Sequence, residues 1–204
     1  MLEQLIPFLT ASILLTISPG PDIIYVLVRG MANGSKYGIV TALGLVSGIL
    51  IHTSLVAFGV SVIIKNSPVL FMLIKIFGAV YLFYLAYQVF KSDPKIAFSA
   101  EGLQDKSLFA LYRQGFIMNV LNPKVTIYFL AFFPGFLWEP SGNTIFQFYI
   151  LGFLFMLQAF LIFSGVAVMA GKISTYLKKH PNSGLILKWV QVVVFLLIAF
   201  LILV

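Results

Sequence analysis

The sequence predicts an all-α integral membrane protein of six transmembrane helices, arranged as two inverted three-helix repeats. Three observations carry that expectation. Hydrophobic residues make up 61% of the 204 residues and charged residues only 9%, far below the roughly 25% of soluble domains. The apolar residues gather into runs of about 20, the length a helix needs to cross hydrocarbon. Two runs are interrupted by Ser18-Pro19-Gly20-Pro21-Asp22 and Asn122-Pro123-Lys124, and Pro21 and Pro123 stand 102 residues apart, half the chain.

The expected spans are residues 5–28, 38–64, 68–90, 112–138, 144–170 and 185–204. They form one domain over 1–204, with repeat 1 at about 1–91, a connection at about 92–111 and repeat 2 at about 112–204. Turn residues separate them: Asn33-Gly34-Ser35, Asn66-Ser67-Pro68, Pro140-Ser141-Gly142-Asn143 and Pro181-Asn182-Ser183-Gly184. Span 1 begins at Met1-Leu2-Glu3-Gln4 without the basic start of a signal peptide, so it is expected to be retained. A proline removes an amide donor and frees a carbonyl one turn back. Hydrocarbon offers no water to such a break, which survives only inside protein or along a polar cavity. Breaks in spans 1 and 4 therefore mark a candidate solute site.

Span 2 carries Gly44, Gly48 and His52 at four-residue spacing, a face suited to close helix approach. His52 is expected inside the bundle, where it either titrates or donates to a neighbouring carbonyl. Span 3 places Tyr84, Tyr87 and Gln88 near one end, as in an interfacial aromatic belt, with Tyr81 deeper. The phenylalanines of spans 4 and 5 are read as lipid-facing or packing residues. In span 5, Phe163-Ser164-Gly165-Val166 is similar to Ala57-Phe58-Gly59-Val60, a register that sets Gln158 against His52. Span 6 is almost wholly aliphatic after Gln191. It packs in the bundle or against a second subunit, so a homodimer stays open.

Loops 1, 3 and 5 share one side and carry Arg29, Lys36, Lys91, Lys95, Lys106, Arg113, Lys172, Lys178 and Lys179; the other side has only Lys65. The positive-inside rule places those loops in the cytoplasm and both termini outside. The net charge of +7 is thus a topology signal, and a nucleic-acid partner is excluded for want of folded polar surface. Asp22 lies roughly 10 Å inside Arg29 and Lys124 roughly 16 Å beyond Arg113, at 1.5 Å per residue. Ionised groups at such depth cost about 2.5–3.5 kcal/mol on insertion scales and face cavities or partners. Asp22 either caps the second half of span 1 or faces a cavity. A broken helix start is also an anion site. With no cysteine, and with His52 and His180 apart from clustered acids, no metal site, cofactor, dithiol chemistry or catalytic residue is assigned.

These residues resemble the lysine exporter/homoserine-threonine exporter (LysE/RhtB-type) family of bacterial amino-acid efflux proteins, over essentially the whole chain. The likeness rests on Ser18-Pro19-Gly20-Pro21-Asp22, on Gly38, Gly44, Gly48 and Gly59, and on Gly78-Ala79-Val80-Tyr81-Leu82. It is strongest over Gly115-Phe116-Ile117-Met118-Asn119-Val120-Leu121-Asn122-Pro123-Lys124 and Phe132-Phe133-Pro134-Gly135-Phe136. Gly135 departs from the glutamine that members often carry. The resemblance implies a non-enzymatic inner-membrane exporter of amino acids or related metabolites, driven by the proton gradient or membrane potential. Candidate substrate-binding or coupling residues are Pro19, Gly20, Pro21, Asp22, His52, Asn119, Asn122, Pro123 and Lys124. Candidate helix-packing residues are Gly44, Gly48, Gly59, Gly78 and Gly165. The broken ends and Lys124 could hold a carboxylate and Asp22 an ammonium. Export of another small cation or metal ion, and a structural membrane role without transport, are the alternatives.

Overall fold

The computed structural model describes residues 2–94, 106–180 and 182–203. Helix is the only regular structure among them. Helices α1 (Leu2–Ile17) and α2 (Pro21–Asn33) meet at 58° across the first break. Helix α3 (Ser35–Leu55) runs on through a π-helical turn, Val56–Val60, into α4 (Ser61–Asn66), and α5 spans Pro68–Lys91. Helix α6 (Leu108–Val120) precedes the second break. Beyond it, α7 (Pro123–Ile127) continues through a π-helical turn, Tyr128–Phe132, and a 3-10 turn, Phe133–Phe136, bent by 48°. The chain closes with α8 (Thr144–Val168), α9 (Ala170–Lys179) and α10 (Ser183–Leu203). Among the described residues four helices are long and apolar enough to cross a membrane, and each bent pair counted as one span makes six.

Local chemistry starts these helices where they start. Pro21, Pro68 and Pro123 stand at first helical positions, where a missing amide hydrogen is harmless. The side chains of Ser67, Ser107, Asn122 and Asn143 each accept an amide of the first turn of α5, α6, α7 and α8, satisfying donors that the helix cannot. Gly34 joins α2 to α3 at φ 98°, a conformation that favours glycine.

Glycines let the central helix α3 touch three neighbours. A β-carbon at Gly44 would stand 2.0 Å from the Tyr112 carbonyl oxygen, and one at Gly115 would stand 2.4 Å from that of Thr41. The backbones of α3 and α6 are therefore in direct contact. Gly48 lies against Asn119 of α6, Gly152 of α8 against Thr53, and Gly38 against Ala167 of α8 and the Val26 carbonyl of α2. Gly78 brings α5 to Ala131, and α10 packs along α5.

Several expectations are corrected. A β-carbon at Gly59 or Gly165 would meet nothing within 4 Å, so neither glycine packs helices within the chain. Arg29, read as a loop residue, is 2% exposed inside α2, which runs on to Asn33. Helix α6 starts four residues before the expected 112. Most of the 92–111 connection (95–105), and Pro181 of the last turn, lie outside the described residues.

The close approach gives a test. Gly44→Ala forces a backbone carbonyl to move, and overpacking of this kind costs about 1–3 kcal/mol. Thermal unfolding in detergent is expected to fall clearly for Gly44→Ala and to stay level or rise for Gly165→Ala, where the added methyl meets no neighbour.

Candidate functional site

The two breaks meet, and each is satisfied by the other half of the chain. Pro19 has no amide hydrogen, so the Leu15 carbonyl four residues back loses its helical donor. The Lys124 ammonium takes that place, donating to the Leu15 oxygen at 2.7 Å and to the Ser18 oxygen at 2.9 Å. Pro123 orphans the Asn119 carbonyl in the same way. His52 Nε2 lies 3.1 Å from that oxygen; a carbonyl only accepts, so Nε2 is the protonated nitrogen. The Asn122 amide donates to the same oxygen at 2.9 Å. A third strut runs the other way, with Asn122 Nδ2 donating to Asp22 Oδ2 at 2.7 Å.

Between these struts lies a cavity of about 30 Å³ lined by Thr16, Ser18, Gly20, Asp22, Asn119, Asn122 and Lys124, with apolar walls from α3 and α8. That is room for one or a few waters. Asp22, Asn119 and Asn122 are 8%, 2% and 5% exposed. Three buried oxygens on this wall, Asp22 Oδ1, Asn119 Oδ1 and Ser18 Oγ, have no hydrogen-bond partner among the described residues. Buried oxygens left unpaired cost about 1–3 kcal/mol each, so a species bringing hydrogen-bond donors is favoured here.

A polar cluster and an aromatic cluster flank the two breaks. Towards the far end of α2, Tyr25 donates to Gln114 Oε1 at 2.7 Å, and Arg29 Nε donates to the Tyr25 hydroxyl at 3.1 Å. Lys106 donates to the same Gln114 oxygen at 2.7 Å. On the opposite side stands a buried aromatic layer. Phe129 stacks on Phe133 at 4.4 Å and meets Phe155 edge-on at 5.3 Å, and the Tyr128 hydroxyl pairs with Ser12 at 2.9 Å.

The candidate residues divide accordingly. Gly20, Asp22, Asn119, Asn122 and Lys124 line the cavity; Pro19, Pro21 and Pro123 make the breaks; His52 stands behind Asn119. Asp22 does not cap α2. Its N-cap is Gly20, with no side-chain cap bond, because the carboxylate is turned to Asn122. Lys124 spends its hydrogen bonds on carbonyls of α1 and not on Asp22. The cavity also includes Thr16, which accepts from Gln158 Nε2 at 3.0 Å. Tyr25, Gln114 and Ser12 are not singled out by the sequence, where Gln114 beside Arg113 reads as the polar edge of span 4.

The model of the LysE type translocator family matches residues 13–204. A leucine efflux protein of Enterobacter sp. (strain 638) is 29% identical over 166 residues, 79% of each chain. An uncharacterized membrane protein of Vibrio cholerae serotype O1 is 26% identical over 175 residues, 86% of this chain and 84% of the relative. No solved structure matches the chain.

Lys124→Met leaves two buried carbonyls unpaired, at about 1–3 kcal/mol each, and is expected to lower the unfolding temperature in detergent strongly. His52→Gln retains a donor for Asn119 and is expected to fold nearly as well as the wild type, whereas His52→Leu is expected to lose stability. Equal stability of the two His52 variants would remove the histidine from this role.

Proposed function

The chain belongs to the LysE type translocator family, and on that premise we propose that it exports amino acids from the cytoplasm across the bacterial inner membrane. It is a multi-pass membrane protein. The observation that carries the proposal is the set of three unpaired oxygens where the two broken helices meet. An α-ammonium group brings three N–H donors to Asp22 Oδ1, Asn119 Oδ1 and Ser18 Oγ. The carboxylate is held by the remaining N–H of Lys124 and by the free amides at the start of α2, where the helix dipole favours negative charge. Similarity to a leucine efflux protein makes an aliphatic amino acid the first substrate to test.

Alternating access follows from the two barriers, with the Tyr25–Gln114 clasp opening towards the cytoplasm and the aromatic layer towards the outside. The inverted repeat is supported by crossed contacts: His52 of the first half reaches Asn119 of the second, and Gln158 of the second reaches Thr16 of the first. Asp22 is the coupling group. Protonation removes the charge that holds the ammonium, so proton uptake drives release.

Efflux from proteoliposomes loaded with labelled amino acids tests the function, with and without an imposed proton gradient. Wild-type protein is expected to release at least one amino acid faster when the gradient is present. Asp22→Asn is expected to lose the response to the gradient; wild-type rate and pH dependence would remove Asp22 from coupling. Orientation is tested separately in the cysteine-free background. An impermeant thiol reagent on intact cells is expected to label Ser141→Cys and to spare Lys179→Cys.

A further inference from the structure

A second and larger chamber, of about 420 Å³, adjoins the polar cavity. Its walls are aliphatic, supplied among others by Ile24, Leu27, Val166, Ile173, Leu177 and Leu187 from α2, α8, α9 and α10. The side chain of Ile23 lines both spaces, and Pro19 of the first break lies on the chamber wall. Ser92, Asp93, Lys188 and Gln191 also line it, and the Lys188 ammonium donates to the Ser92 carbonyl at 2.8 Å. The chamber therefore has an aliphatic body, polar groups from the end of α5 and from α10, and one lining residue, Ile23, in common with the polar cavity.

The two spaces are complementary in size and chemistry. The polar cavity has the oxygens for an ammonium group, but at about 30 Å³ it has no room for a side chain. The chamber falls within the roughly 300–1,000 Å³ of small-molecule sites, and its walls are mainly aliphatic, with polar groups supplied by Ser92, Asp93, Lys188 and Gln191. Burying a polar group there without a partner is penalised, whereas an aliphatic one gains by leaving water. Resting on amino-acid export as proposed above, we propose that this chamber receives the aliphatic side chain of the exported amino acid, with Ile23 as the movable partition between side-chain and head-group sites. The chain is then selective for leucine-like substrates over small or polar ones. The sharing of Ile23 by both spaces favours this occupant over a lipid chain.

The experiment fills the chamber in folded protein. The chain has no cysteine, so Leu27→Cys can be purified, shown to transport, and then modified with benzyl methanethiosulfonate in proteoliposomes. Modification is expected to slow leucine efflux by about tenfold or more, the discrimination a filled apolar pocket supports, and to leave alanine efflux within about threefold. Excess leucine is expected to protect the thiol, and excess alanine is not. Leu27→Trp gives the same selectivity change without chemistry.

Equal loss of leucine and alanine efflux would make the chamber a common path and overturn the side-chain assignment. Modification without effect on either, or without protection by leucine, would leave the space to lipid and overturn it as well. Failure of unmodified wild-type protein to export any amino acid would instead overturn the export proposal on which the chamber rests.

Discussion

The bracing of each helix break by the opposite half of the chain is the constraint on which the rest of the structure depends. Each proline leaves a carbonyl without its helical donor, in a medium that supplies no water. Lys124 answers the break at Pro19, His52 the break at Pro123, and Asn122 ties the second break to Asp22. Every strut crosses between halves, and the break at Pro19 has its freed carbonyl satisfied only from the other half, whereas the Asn119 carbonyl also accepts from the Asn122 backbone amide of its own span. The glycine contacts of α3 with α6 follow from the same need: His52 reaches the Asn119 oxygen because Gly48 lets α3 lie directly on Asn119.

The bracing also explains why the cavity is polar and acceptor-rich. Lys124 is committed to two carbonyls, which leaves Asp22 Oδ1 without a hydrogen-bond partner among the described residues. The two barriers differ in what opening them requires. The neutral Tyr25–Gln114 bond contributes about 0.5–1.5 kcal/mol net, and the bonds donated by the charged Arg29 and Lys106 about 1.5–3 kcal/mol each. Exposing a buried phenylalanine of the aromatic layer to water costs about 1.5–3 kcal/mol, and Phe129, Phe133 and Phe148 are all buried there.

Much of this was legible in the sequence. Two prolines inside bilayer-length apolar runs, each followed by an ionisable residue, are tolerated only inside protein or along a polar cavity, and Asp22, Asn122 and Lys124 line a cavity. The four-residue spacing of Gly44, Gly48 and His52 indicated a buried face for a plain steric reason. What failed did so for equally physical reasons. Arg29 was read as a boundary because charge normally marks the end of a span, and its burial depends on Tyr25, a partner one turn away that hydropathy does not register. Gly59 and Gly165 have the composition of packing residues, but small size permits approach without requiring it. The aliphatic chamber was invisible, since Leu27 and Val166 read the same whether they face lipid or substrate.

A double-mutant cycle between Asp22 and Asn122 tests the bracing most directly. Unfolding free energies in detergent would be measured for the wild type, Asp22→Ala, Asn122→Ala and the double variant. Asn122 also caps α7, and the cycle subtracts that separate loss. A strut between the two breaks gives a coupling of about 0.5–3 kcal/mol. Additive losses, within a few tenths of a kcal/mol, would mean that the two broken helices are held independently and would contradict the account.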